Sequence, residues 1–231
     1  MASTGIIESR PVRERPPVLR ITRFVLLLVM TYTAIADASR AISTVTGLHV
    51  AFGIDPRLPL SDLPQLARAD LRPGAAGTLG DADLLLRILG AVPSLIHAIT
   101  VVLAVAWLLR ALRGIAQGQP FHAFVVANWR RLALTLLGGG VLQVVAGGIA
   151  TAYLAAGLGL GAPTVALSAF GTFGLGGLGG PQTFLGGDYT DVMSAPVEWP
   201  VDLLLAGLVA LALTAAFRAG ARLAEDADGV V

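Results

Sequence analysis

The chain has no cysteine and no lysine, and its charged residues amount to 13% of 231 positions, about half the share of a soluble domain. Without cysteine there is no disulfide framework, thiolate nucleophile, palmitoyl anchor or cysteine-ligated metal. Without lysine there is neither a Walker-type phosphate loop nor a Schiff base. All 16 basic residues are therefore arginines. What fills the space is apolar sequence, 55% of the chain, with 28 glycines. A single water-soluble core of this size cannot cover that much apolar surface with so few charges, so the expected medium is a bilayer.

Four spans are expected, at 21–44, 84–112, 132–155 and 199–220. Residues 1–20 carry prolines and arginines with little apolar content and read as a disordered tail. The first uncharged run, Phe24 to Ala36, holds 13 residues, short of the roughly 20 that cross a bilayer. It spans only if Asp37 and Arg40, an i,i+3 pair near the outer end, belong to the same helix. A cleaved signal peptide ending at Ala34-Ile35-Ala36 competes for this segment. The second span is the clearest: Ile88 to Leu109 gives 22 residues without a charge, with Pro93 as an expected kink. Residues 113–131 form an inner loop with Gly118 as a helix stop, Pro120 as a helix opener and a short interfacial helix through Phe121, Phe124, Val125 and Asn128.

From Leu132 to Gly187 there are 56 uncharged residues, of which the stretch from Gly157 holds eleven glycines. Glycine at that density opposes helix, so 156–198 is read as a loop lying on or dipping into the membrane, with a fifth crossing as the alternative. Residues 45–83 read as a second outer loop with one short helix, and 221–231 as a short acidic tail. Placing both termini and the 113–131 loop in the cytoplasm puts eleven arginines inside and five outside, which agrees with the positive-inside rule. The expected fold is thus all-α: a polytopic membrane bundle of four helices.

Few residues offer chemistry. His97 and Gln143 sit near the middle of the second and third spans, where a polar group has to face other helices or water. They read either as a polar path or as interhelical hydrogen bonding. Asp37 with Arg40 reads as a structural pair. His49, His97 and His122 fall in different compartments, so no metal site is expected, and no nucleophile–base constellation is visible. No cofactor and no enzyme activity are expected. The small residues Ala206, Ala210 and Thr214, with Gly140 and Gly147, mark close approach of the third and fourth spans or of a second copy. The N-terminal arginines suit anionic lipid headgroups, and no folded reader module for nucleic acid is present.

Two stretches resemble a known pattern. GQPFHAFVVANWRRLALTLLGGG is similar to a Gly-x-Pro-Phe, Asn, basic-Leu opening of a membrane helix, and LLAGLVALALTAAFRAGARLAEDADGVV to a terminal helix ending Phe-x-x-Gly-x-x-Leu before an acidic turn. The matching positions are Gly118, Pro120, Phe121, Asn128, Arg131, Leu132, Phe217, Gly220, Leu223 and Asp226. With four spans, the chain resembles the YoaS-like family of bacterial four-helix inner-membrane proteins of unknown function. That resemblance implies a regulatory component with a small helix-turn-helix regulator as partner. The long arginine-rich tail, the glycine-rich loop and the short C-terminal tail depart from the pattern. The leading expectation is a regulatory or signalling membrane protein that docks a partner on its cytoplasmic face. The alternatives are a small transporter or channel subunit, with a polar path near His97 and Gln143, and a structural oligomeric bundle.

Overall fold

The computed structural model describes residues 17–50, 56–118, 121–158, 173–176 and 182–228. Most of these are helical, and four helices are long and apolar enough to cross a membrane. They are α1 (Pro17–Thr46), α2 (Leu84–Ala116), α3 (Ala123–Gly157) and α5 (Val201–Asp228). The chain is therefore a multi-pass membrane protein. All four begin or continue beyond the uncharged runs, because arginine-bearing turns extend the helices at the end that gathers Arg110, Arg113, Arg130, Arg131, Arg218 and Arg222. The interfacial helix expected before the third span does not stand alone. It is the first part of α3, which runs unbroken from Ala123 because His122 caps it, Nδ1 accepting from the Phe124 amide at 3.2 Å. Pro93 lies inside α2 without ending it. Gly118 does stop α2, with φ at 78°, a conformation that favours glycine. Pro120 and the tail residues 1–16 lie outside the described residues, as does most of the glycine-rich run.

The helices pack in chain order: α1 on α2, α2 on α3, and α3 on α5, with no comparable contact from α1 or α2 to α5. The result is an open row with two edges. The α3–α5 contact rests on small residues, but not the set expected. Ala206 is exposed, whereas Leu203, Gly207, Ala210 and Thr214 are buried. A Cβ on Gly207 would stand 2.8 Å from Leu137 Cγ, and one on Gly140 2.9 Å from Leu204 Cδ2, so the backbones approach to a distance that excludes side chains.

The two loops expected on the outer side, 45–83 and 156–198, are the main departure from expectation. Their described residues pair with each other and together fold into a cap. Strand β1 (Leu66–Leu71) pairs antiparallel with β3 (Tyr189–Ser194), which pairs antiparallel with β2 (Phe173–Gly176). A short helix, α4 (Gln182–Leu185), precedes β3. Two 3-10 turns (Leu60–Asp62 and Leu79–Asp81) take the place of the single helix expected in 45–83. Leu60, Leu63, Leu66 and Leu79 bury against Leu86 of α2, Leu154 of α3, Leu158 and Val192, so the cap has a core of its own seated on two helix ends. The acids of the second loop find their cations in the first: Arg72 meets Asp188 at 3.2 Å and Arg68 meets Asp191 at 3.7 Å. Gly47, with φ at 71°, closes α1 where a Cβ would stand 2.4 Å from Gly80 Cα.

Candidate functional site

Asp37 does not pair with Arg40. Its carboxylate lies on the face of α1 that carries Ala41 and Thr44, all three buried at i, i+4 and i+7 spacing, and this face meets α2. Across the contact, His97 Nδ1 stands 2.6 Å from Asp37 Oδ2, with side-chain exposures of 23% and 11%. A polar group at this depth needs a partner because no water is there to serve it. The carboxylate missing from the sequence reading of His97 is thus supplied by another helix, 60 residues away. Arg40 points its pairing capacity elsewhere: it is exposed and lines a cavity.

That cavity has a volume of about 400 Å³. Asp62, Pro64 and Gln65 of the cap and the 196–198 segment roof it, while Gly90 and Pro93 of α2 and Gln143, Gly147 and Thr151 of α3 form its sides. Arg40 is three residues from Asp37 on α1, and Pro93 is four residues before His97 on α2. At about 1.5 Å of rise per residue, the cavity floor is one helical turn, roughly 5 Å, from the ion pair. Gln143 belongs to this cavity; no hydrogen bond joins it to His97 among the described residues. The side-chain oxygens of Gln143 and Gln65 are both buried without a hydrogen-bond partner, two acceptors left to whatever fills the space.

On its other face α2 packs closely on α3. Thr100, one turn beyond His97 and 4% exposed, fits against Gly139, where a Cβ would stand 2.2 Å from the Thr100 hydroxyl. Beyond it Ala104, Ala133 and Leu136 pack with Val101, Trp107 and Leu108. The cap-side cavity thus lies one turn from the His97–Asp37 pair, and toward the arginine-bearing end α1 and α2 wall a second, smaller cavity of about 230 Å³, with Arg20 and Arg23 on one side and Leu109 and Arg113 on the other.

At that end the structure brings together two of the segments singled out above. Phe121 and Phe217 have ring centroids 6.3 Å apart, Trp129 stacks on Phe217 at 5.8 Å, and a Cβ on Gly220 would meet the Phe121 ring at 2.5 Å. Leu223, Asp226 and Arg131 are exposed around this cluster, Arg131 standing 5.1 Å over Trp107. Asn128 is different: it is fully buried, with Nδ2 donating to the Phe124 carbonyl at 2.8 Å and Oδ1 unpartnered. It organises the first turns of α3 and cannot touch a docked partner.

Sequence reading missed two joints of the cap. Asp83 caps α2, accepting from the Leu86 amide at 3.0 Å, and also accepts from the Tyr153 hydroxyl of α3 at 3.1 Å. Arg87 donates to the carbonyl of Val45 at 2.6 Å and so closes the C-terminal turn of α1 onto α2. An Asp directly before an apolar run was the available signal for the first; nothing local signals the second. Among the described residues no three His, Asp or Glu side chains cluster closely enough to hold a metal ion.

Comparison of the chain with protein-family models, with curated proteins and with solved structures found no match.

Proposed function

We propose that this protein is a non-enzymatic regulatory or signalling component of a bacterial inner membrane, in which the His97–Asp37 pair responds to protons arriving through the cap-side cavity. The carrying observation is that pair: a carboxylate and an imidazole on different helices, 2.6 Å apart, one turn below a space of about 400 Å³. An ionisable group held inside a membrane span is costly unless it does something there. The polar and charged groups that line the cavity one turn from the pair are Arg40 on α1, Gln143 on α3, and Asp62, Gln65 and Glu198 at the roof, with Thr151 on α3. Losing the proton from the imidazolium, or adding one to the carboxylate, turns an ion pair into a single buried charge. The α1–α2 contact then has a reason to change.

The positive-inside rule supports placing both termini and the arginine-bearing end in the cytoplasm. There Phe121, Phe217, Gly220 and Leu223, rimmed by Arg131 and Asp226, form the surface on which a partner would read the helix movement. The partner implied by the sequence resemblance is a small helix-turn-helix regulator.

Because the chain has no cysteine, single labels are easily placed. Spin labels at Ile35→Cys and Ile99→Cys, two exposed positions on α1 and α2, report their separation in nanodiscs. The expected result is a distance change between about pH 5 and about pH 8, the window in which imidazoles change charge, that disappears in His97→Gln and in Asp37→Asn. Proton flux across reconstituted vesicles that depends on His97 would instead establish the transporter reading.

A further inference from the structure

The arginine-bearing end holds a second feature, which shares only Phe121 and Arg131 with the proposed docking surface. Between the first turns of α3 and the last turns of α5 lies a groove of about 700 Å³ walled by Arg130, Arg131, Arg218 and Arg222 on one hand, and by Phe121, Val126, Ala127 and Leu134 on the other. All four arginines are exposed, and no ion pair among the described side chains neutralises any of them; Asp226, one turn beyond Arg222, is exposed and unpaired with it. Four guanidinium groups on two helices within one groove repel one another unless an anion sits among them. Guanidinium binds phosphate through paired, parallel hydrogen bonds.

The depth of the groove in the membrane identifies the source of the phosphate. Trp107 and Trp129 lie at this level, with Arg110 and Arg131 over the Trp107 ring at 4.6 and 5.1 Å, which is the arrangement of a headgroup belt. The groove also continues into an apolar track. On α3 the face that carries Ala127 and Arg131 goes on through Leu134, Gly138, Val141 and Val145, all exposed, and no neighbouring atom lies within 4 Å of a Cβ placed on Gly138. An inorganic anion would use the arginines and leave that track empty. A lipid uses both.

The structure assigns this groove, we infer, to an anionic phospholipid whose headgroup carries two phosphates, with its acyl chains along the Leu134–Val145 face of α3. Paired phosphates match four cations on two helices better than one phosphate does, and basic pockets between spanning helices on the cytoplasmic side are suited to such headgroups. The site stands apart from the His97–Asp37 pair and does not depend on what that pair does.

The test is native mass spectrometry and thermal unfolding of the full chain in detergent, titrated with cardiolipin, phosphatidylglycerol, phosphatidylcholine or inorganic phosphate. Cardiolipin is expected to remain bound and raise the unfolding temperature more than phosphatidylglycerol does, with phosphatidylcholine and inorganic phosphate giving no shift. Arg130→Gln with Arg222→Gln should weaken cardiolipin binding about thirtyfold, the effect of two phosphate-contacting charges. Arg20→Gln with Arg23→Gln removes the same charge from a separate, smaller cavity at the same end and should weaken it less than about twofold. Ala127→Trp keeps every arginine and fills the groove, so it should also release cardiolipin. Equal weakening by the two arginine pairs, full binding in Ala127→Trp, equal binding of phosphatidylglycerol, or a matching shift with inorganic phosphate overturns the assignment.

Discussion

The pairing of His97 with Asp37 predicts a specific pattern of non-additivity. His97→Leu leaves the Asp37 carboxylate, 8% exposed, without its partner inside the membrane; orphaning one member of a buried pair costs about 3 kcal/mol. Asp37→Leu leaves an imidazole that can sit neutral, and the loss is closer to one interhelical hydrogen bond, about 1 kcal/mol. The double variant leaves neither an unpaired charge nor an orphaned donor and buries two apolar side chains. Its stability should fall within about 1 kcal/mol of the parent, because replacing both partners by apolar groups is close to neutral. The coupling energy is then about 4 kcal/mol, above the usual range for residues in contact because one corner of the cycle carries an orphaned charge. Reversible unfolding in mixed micelles, followed by the three tryptophans, measures all four corners of the cycle. Additive costs, with a coupling below about 0.5 kcal/mol, would mean that the two side chains do not meet in the membrane. The proposal for the pair would then lose its footing.

Other perturbations test the joints around the site. Asp83→Ala removes both the cap of α2 and the tie to Tyr153 and should cost about 2 kcal/mol. Asp83→Asn keeps the cap and should cost less than half as much; both are read from the unfolding midpoint. Gly139→Ala drives a methyl into Thr100, an overpacking cost of about 1–3 kcal/mol, and adding Thr100→Ala should recover part of it in the same assay. Tyr189→Phe removes a buried hydroxyl with no hydrogen-bond partner and should leave the cap unchanged or slightly more stable. Burial, and then the nearby Asp81 carboxylate, raise the Tyr189 phenol above its ordinary 10.0. Its contribution to stability is therefore complete below pH 10.0 and is lost as pH rises through the raised value. Alkaline unfolding followed by hydrogen exchange at the cap amides should begin later in Tyr189→Phe than in the parent.

The spans were legible in the sequence because hydropathy along a single helix is a local property. Their lengths were underestimated where Arg130 and Arg131 continue the helix into the headgroup zone. The cap was not legible. Leu66 pairs with Ser194, well over 100 positions away, and Ser194 pairs on its other side with Phe173 of β2, in sequence whose glycines argue against any regular structure. The acidic loop looked unbalanced because its cations, Arg68 and Arg72, belong to the other loop. The same distance in sequence hid the partner of Asp37. Local reading matched it to Arg40 at i,i+3, whereas the recurrence of small and polar residues at Asp37, Ala41 and Thr44 was the sign that this face turns toward another helix. The aromatic contact of Phe121, Trp129 and Phe217 was foreshadowed by the motifs that carry these residues, but the burial of Asn128 was not. Neither the composition nor the spacing says on which side of a helix the neighbour stands.

The cap binds the four helices at one end only. It takes hold of α1 through Gly47, whose carbonyl accepts from the Leu58 amide at 2.9 Å, of α2 and α3 through Leu86 and Leu154, and of the approach to α5 through Ala195, whose amide donates to the Gln65 carbonyl at 2.7 Å. At the opposite end nothing comparable crosses from α1 to α5 among the described residues. A small tilt introduced near the clasp therefore grows with distance along α1, which packs along a single helix, α2, and is largest where the arginines lie.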